Sequence, residues 1–241
     1  MVVLISAVSM LGYVLMRFLG ARQGVAVTGL LGGLASSTAA TLGFSQEARQ
    51  AEASLARYFA LGITVACTVM FFRVLFLTLV IDPDLGRSLA LPIAFPALAG
   101  VGAGIFLWMR REGQREVRLA VKNLMELGKA IQFAFLFAVV VFVSKAAHFY
   151  FGSAGVYVAS ALAGLTDVDA ITISAAQLAH EKVLASGTAN ASILLASAMN
   201  TLVKGGIAVV AGGRGLRPVV TPVFLLLFLL SLAATIVVAR S

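Results

Sequence analysis

Gly29-Leu-Leu-Gly-Gly-Leu-Ala-Ser-Ser-Thr-Ala-Ala-Thr41 puts glycines and hydroxyls inside an apolar run where a lipid-facing helix would carry Leu or Phe. It has a mate further on, Ala163-Gly-Leu-Thr-Asp-Val-Asp-Ala-Ile-Thr172. An ungapped shift of 131 positions lays Gly24-Val25 on Gly155-Val156, Gly33-Leu34 on Gly164-Leu165 and Thr41 on Thr172. The same shift pairs Val27 with Val158, Leu31 with Leu162, Ala39 with Ala170 and Leu85 with Leu216. It also pairs Arg73 with Lys204, two basic residues in otherwise apolar surroundings. Two charges matched in this way point to an internal repeat.

Hydrophobic residues make up 61% of the chain and charged residues 12%, against roughly half and about a quarter in soluble domains. Several apolar runs approach or exceed the ~20 residues a helix needs to cross a bilayer, and the alternation of a β-barrel is missing. The fold class is therefore all-α, a polytopic transmembrane helical bundle. The segment from Met1 to Met16 has no basic leader and no small-residue cleavage site, so it reads as a retained span. A start this deep inside a span suggests the end portion of a longer protein. Cys67 is the only cysteine; it reads as packing, with no disulfide framework or thiolate cluster. The net charge of +8 flanks apolar spans instead of forming a basic domain, which favours topology over nucleic acid.

Apolar runs bounded by breakers predict about eight spans, near 2–19, 24–45, 56–80, 88–109, 131–150, 155–178, 188–211 and 219–239. Residues 1–110 form a first membrane repeat and 131–241 a second. Between them, 111–130 reads as a basic interfacial linker helix, since Arg110 to Lys129 holds six basic and three acidic residues with Val117, Val121, Leu124 and Gly128 at helical spacing. The positive-inside rule places that linker and both termini in the cytoplasm, with Arg49, Arg57, Lys182 and Arg240. Arg17, Arg22, Arg87, Lys145, Arg214 and Arg217 then fall on the other side. Four crossings per repeat make the halves parallel; a re-entrant hairpin in each leaves three and makes them inverted.

Thr166-x-x-Asp169 ahead of an apolar run has the form of a capping box, and Ser36 or Ser37 can cap in the first repeat. A helix start in mid-span predicts broken helices at matched positions, tolerated only where the freed backbone is buried in protein or lines a cavity. The plainer alternative is close packing through Gly29, Gly32 and Gly33. Asp167 and Asp169 are two apart and reach one ion only from irregular backbone. A carboxylate in mid-membrane costs about 3 kcal/mol, so it should face a cavity, a cation or a basic partner. Asn200 and Lys204 share a helix face and are placed to address one buried partner. The competing account is a salt bridge from Asp167 or Asp169 to Arg73 or Lys204 that only locks the bundle. His148 reads as interfacial, Gly100-Val-Gly102-Ala-Gly104 as no nucleotide loop, and Asp82-Pro83-Asp84 as a turn neutralised by Arg87.

These segments, together with Arg73-Val-Leu and Asn200-Thr-Leu-Val-Lys204, resemble the membrane domain of unknown function 4010, found C-terminally in MgtC/SapB-family membrane proteins. The resemblance implies an integral membrane protein concerned with ion or small-solute movement, and carries over no substrate. In that family's longer proteins the resemblance implies a separate N-terminal MgtC domain ahead of these segments.

The expectation that follows is a transporter or channel for an ion or small solute, working through a central site at the repeat interface. Its pathway residues are Ser36, Ser37, Thr38, Thr41, Arg73, Asp167, Asp169, Thr172, Asn200 and Lys204. The rival is a non-transporting membrane module that assembles with or regulates a partner. Two histidines and one cysteine leave little machinery for an enzyme. No cofactor is implied, and whether a metal binds stays open. Helix N-termini with Lys204 or Arg73 suit an anion, and the carboxylates with hydroxyls a cation. The expected setting is the cytoplasmic (inner) membrane of a prokaryote. The expected partners are lipid, the ion or solute and a second copy of the chain in a homo-oligomer, with no nucleic acid.

Overall fold

Residues 21–110 and 155–240 are described in the structure, a computed structural model. The spans expected near 2–19 and 131–150, the linker 111–130, and Arg17, Lys145 and His148 lie outside the described residues.

The described chain is helical, without strands. Helix α1 (Ala21–Gln50) is followed by a single 3-10 turn (Ala53–Leu55), then α2 (Ala56–Ile81), α3 (Pro83–Met109), α4 (Gly155–Gly164), α5 (Asp169–His180), α6 (Ser186–Ala211) and α7 (Gly213–Arg240). Helices α1, α2, α3, α6 and α7 are long and apolar enough to cross a membrane, with mean hydropathy from 1.4 to 2.7. At about 1.5 Å per residue, α4 and α5 are each too short to cross ~30 Å of hydrocarbon. The span expected near 155–178 is thus two helices and not one.

Asp82 alone joins α2 to α3. Its Oδ1 accepts the N–H groups of Asp84 and Leu85, both at 3.0 Å. Pro83 takes the first helical position, where its missing N–H costs nothing. The expected turn is therefore a helix cap, and Arg87 does pair with Asp84, at 2.8 Å.

The chain forms two compact units. In the first lie α1, α2 through Met70, α3 from Ala99, α6 from Lys204 and α7 through Leu225. The second holds the rest of those four long helices together with α4 and α5.

In the first unit α1 doubles back. Ser36 has extended backbone (φ −163°, ψ 102°) in mid-helix. A Cβ on Gly62 of α2 would lie 2.7 Å from Val25 Cγ1 and 2.8 Å from Phe44 Cε2, so both side chains meet over one glycine. A straight helix would hold residues 25 and 44 about 28 Å apart. The first arm runs alongside α2, Gly29 against the Gly62 carbonyl (2.6 Å from an added Cβ) and Gly33 against Ala66 Cα (2.8 Å). The second arm returns, with Phe44 beside Phe59, ring centroids 6.5 Å apart, and Ala39 and Leu42 in a cluster with Ile207 and Ala211. The segment expected to cross near 24–45 is instead a hairpin, opening towards the start of α2.

The turn between α6 and α7 lies against the link between α1 and α2. An added Cβ on Gly213 would be 3.4 Å from Arg49 Cα, and one on Gly215 would be 3.4 Å from Ala53 Cβ. Arg214 and Arg217 therefore share an end with Arg49 and Arg57. This corrects the expectation that Arg214 and Arg217 fall on the side opposite Arg49 and Arg57. The reason is the doubled-back arm of α1, which returns the chain to the end it started from.

In the second unit α4 and α5 pack on each other. The Nδ1 atom of His180, at the end of α5, lies 3.9 Å from Asp82 Oδ2.

Candidate functional site

The helix break in the second unit spans 165–168, between α4 and α5. Gly164 ends α4 where only a glycine fits, because a Cβ would collide with the backbone carbonyl of Ala196 on α6. The break deprives the Gly164 carbonyl of its helical N–H, and Asn200, buried on α6, donates from Nδ2 to it at 2.8 Å. At the start of α5 the N-cap residue is Val168, without a side-chain cap, and Asp167 just before it accepts the Asp169 N–H on Oδ1 at 3.1 Å. Thr172 is buried, its Oγ1 donating to the Val168 carbonyl at 2.8 Å.

The capping box expected of Thr166 and Asp169 does not form. Thr166 donates from Oγ1 to the Ala163 carbonyl at 2.8 Å, and the Asp169 carboxylate is taken by a stronger partner. Arg73, from mid-α2, places Nε 3.0 Å from Asp169 Oδ1 and Nη2 2.8 Å from Oδ2. This is the fork geometry that matches guanidinium to carboxylate. Both side chains are largely enclosed, at 17% and 27% exposure. Asp169 is also the first residue of α5, where the helix dipole favours its charge. Asp167, by contrast, is exposed. The backbone around the two carboxylates is irregular, as sharing an ion would require, yet their contacts differ.

In the first unit Ser36 caps the returning arm of α1, its Oγ accepting the Ala39 N–H at 3.3 Å. Ser37 and Thr38 are buried; Ser37 contributes its carbonyl, which accepts from Thr41 Oγ1 at 2.8 Å. Lys204 is fully buried, and its Nζ donates to Met70 Sδ at 2.9 Å. Asn200 and Lys204 were placed on one face to address one partner. Asn200 donates to the Gly164 carbonyl, and Lys204 to the thioether of Met70.

Several polar residues escaped the sequence reading. Asn190 Nδ2 donates to Ser88 Oγ at 2.8 Å, and Ser88 donates on to the Leu85 carbonyl at 2.8 Å. Asn190 Oδ1 and Ser192 Oγ are buried without a hydrogen-bond partner among the described residues. An asparagine ten residues before Asn200 in the same apolar run was a legible signal; the Met70 contact had none. Among the described residues no three of His, Cys, Asp and Glu gather to hold a metal. A cation held here would draw hydroxyl, amide and carbonyl oxygens to supplement Asp167 or Asp169.

The family model of a domain of unknown function (DUF4010) matches residues 3–212. An uncharacterized protein of Aquifex aeolicus (strain VF5) is 33% identical over 215 residues, covering 88% of this chain and 92% of that protein. No solved structure matches the chain.

Proposed function

The chain belongs to the family of the domain of unknown function 4010, and from that premise we propose that this multi-pass membrane protein moves an ion or small solute. The observation that carries this reading is a broken helix in each compact unit, doubled back at Ser36 in the first and split into α4 and α5 in the second. Helices unwound within the membrane expose backbone dipoles that bind and release ions, and they recur in secondary transporters built from inverted repeats.

The repeat itself is part of the proposal, with residues 1–110 and 131–241 as its halves and 111–130 joining them. Under the 131-residue shift, Ser36, the extended residue and cap of α1's returning arm, falls on Asp167, which accepts the Asp169 N–H at the start of α5. Gly33 and Gly164, also matched, each press against an alanine, Ala66 and Ala196. Helices α2 and α6 are both 26 residues long and carry the matched Arg73 and Lys204. Helix α2 departs from the Arg49 end of the first unit, whereas α6 arrives there. That opposite sense supports inverted halves, one of the two arrangements open from sequence.

In this reading Arg73, Asp169, Asp167, Thr172 and Asn200 act at one break, and Ser36, Ser37, Thr38, Thr41 and Lys204 at the other. No covalent chemistry is assigned, and the MgtC/SapB setting rests on the resemblance alone. A second reading, a module that assembles with or regulates a partner, is favoured by the Arg73–Asp169 ion pair, since charges matched to each other need no solute.

Flux from proteoliposomes across a panel of monovalent and divalent cations and small anions tests the choice, comparing wild type, Asp169→Asn and the double variant Arg73→Gln/Asp169→Asn, with thermal stability recorded in parallel. Transport requires wild-type flux and a changed selectivity in the double variant even where its stability is regained. A folded wild type that moves nothing on the panel supports the module.

A further inference from the structure

We infer that the Arg49 end of the first unit is the cytoplasmic end and binds the headgroups of anionic phospholipids. Among the residues whose side chains are described, five arginines collect there. Arg49 closes α1, Arg57 opens α2, and Arg214 and Arg217 open α7, whose first turn lies on Arg49 and Ala53. Arg110 joins them because α3 runs antiparallel to α2: Gly86 packs on Leu79 and Gly100 on Thr68, so ten residues beyond Gly100 the chain is back at the level of Arg57. Glu47 and Glu52 are the acidic residues of these segments. Arg49, Arg110, Arg214 and Arg217 are exposed.

Among the described residues of the second unit the balance differs: apart from Asp167 and the Arg73–Asp169 pair, Asp82, Asp84 and Glu181 stand against Arg87, Lys182 and Arg240, three acids to three bases. The sequence spread the first unit's arginines over both faces, and the doubled-back hairpin gathers Arg214 and Arg217 with Arg49 and Arg57.

The basic end also has the form of a lipid boundary. Along α3 the exposed side chains Leu91, Phe95, Leu98, Ile105, Phe106 and Met109 form an apolar stripe. It stops at Arg110, whose guanidinium lies 4.6 Å over the Phe106 ring centroid. An arginine at the rim of such a stripe rests its stem on the apolar surface and holds its charge at headgroup depth. On α7, Arg214 and Arg217 directly precede the run that exposes Leu225, Leu226 and Leu229. Basic residues near an anionic leaflet each strengthen association by roughly fivefold, and an excess of arginine marks the cytoplasmic side of a membrane protein.

Two experiments on the full chain test this. In the first, protein extracted into detergent is exchanged into phosphatidylglycerol or phosphatidylcholine, and retained lipid is measured by native mass spectrometry. Wild type is expected to retain phosphatidylglycerol preferentially, Arg49→Gln/Arg110→Gln/Arg214→Gln to lose about a hundredfold of that preference, and Arg87→Gln/Lys182→Gln/Arg240→Gln to keep it. Equal retention of the two lipids by wild type, or equal loss in both triple variants, overturns the assignment. In the second, a membrane-impermeant maleimide probes Arg214→Cys and Lys182→Cys in Cys67→Ala vesicles of known orientation. Position 214 is expected to label from the cytoplasmic side and 182 from the other; the reverse pattern, or both from one side, overturns it without any lipid measurement.

Discussion

Arg73 and Asp169 lie 96 positions apart in sequence, and their fork shows which consequence of buried charge was legible. That Asp169 needed a cation or a basic partner followed from the cost of a carboxylate in hydrocarbon, and Arg73 was among the candidates. Which base would reach it depended on where the break placed the start of α5, and spacing along the chain does not report that. Removing one partner leaves the other charge enclosed without its match. Arg73→Gln or Asp169→Asn should therefore each cost about 3–5 kcal/mol, while the double variant regains at least half of the larger loss. Thermal unfolding of the four proteins in one detergent checks this; strictly additive losses would show that the pair does not interact. The start of α5 was misread for a related reason. Thr166 and Asp169 had the right spacing for a box, but a guanidinium fork outcompetes a backbone N–H for a carboxylate.

The elements repeat this division between what composition carries and what packing decides. Helices α2, α3, α6 and α7 were legible to within a few residues at most ends because long apolar runs admit little else in a membrane. The α1 hairpin was legible only as a break. Ser36 as a cap was foreseeable from its hydroxyl, yet the return of the chain depends on Gly62, a residue in another helix that no pattern singled out. The glycines supply the test. A Cβ on Gly62 would press on both arms of the hairpin, Val25 on one and Phe44 on the other. Gly102 and Gly206 have nothing within 4 Å of an added Cβ. Gly62→Ala should lower the thermal midpoint, and Gly62→Leu should abolish the folded monomer in size-exclusion chromatography. Gly102→Ala and Gly206→Ala should be neutral or stabilising by up to about 1 kcal/mol, the ordinary helix preference for alanine. Equal effects at all three sites would mean that α1 does not double back over Gly62.

For the whole molecule, the sequence left two arrangements open because the count of crossings turns on whether a broken helix continues or returns. Nothing in a hydropathy profile distinguishes the two, since both bury the same residues. The place to test them is where the α6–α7 turn meets the α1–α2 link. Ala53 Cβ and the Cβ position of Gly215 are 3.4 Å apart, close to the ~3.5–4.5 Å spacing of a disulfide. If every expected span crossed, residues 53 and 215 would lie on opposite faces of the membrane, at least the ~30 Å hydrocarbon thickness apart, and no oxidant could join them. The double variant Ala53→Cys/Gly215→Cys should therefore form an intramolecular disulfide with a mild oxidant in intact membranes, without interference from Cys67, which is fully buried in α2. Cleavage at a protease site placed between residues 111 and 154 should then yield two fragments that stay together without reductant and separate with it. The pair Ala53→Cys/Lys182→Cys is the control: the eight-crossing order puts these residues on one face, so that order predicts the cross-link here in place of the first pair. Cross-linking of the control in place of the first pair would restore the parallel arrangement and remove the inverted repeats on which the transport reading leans.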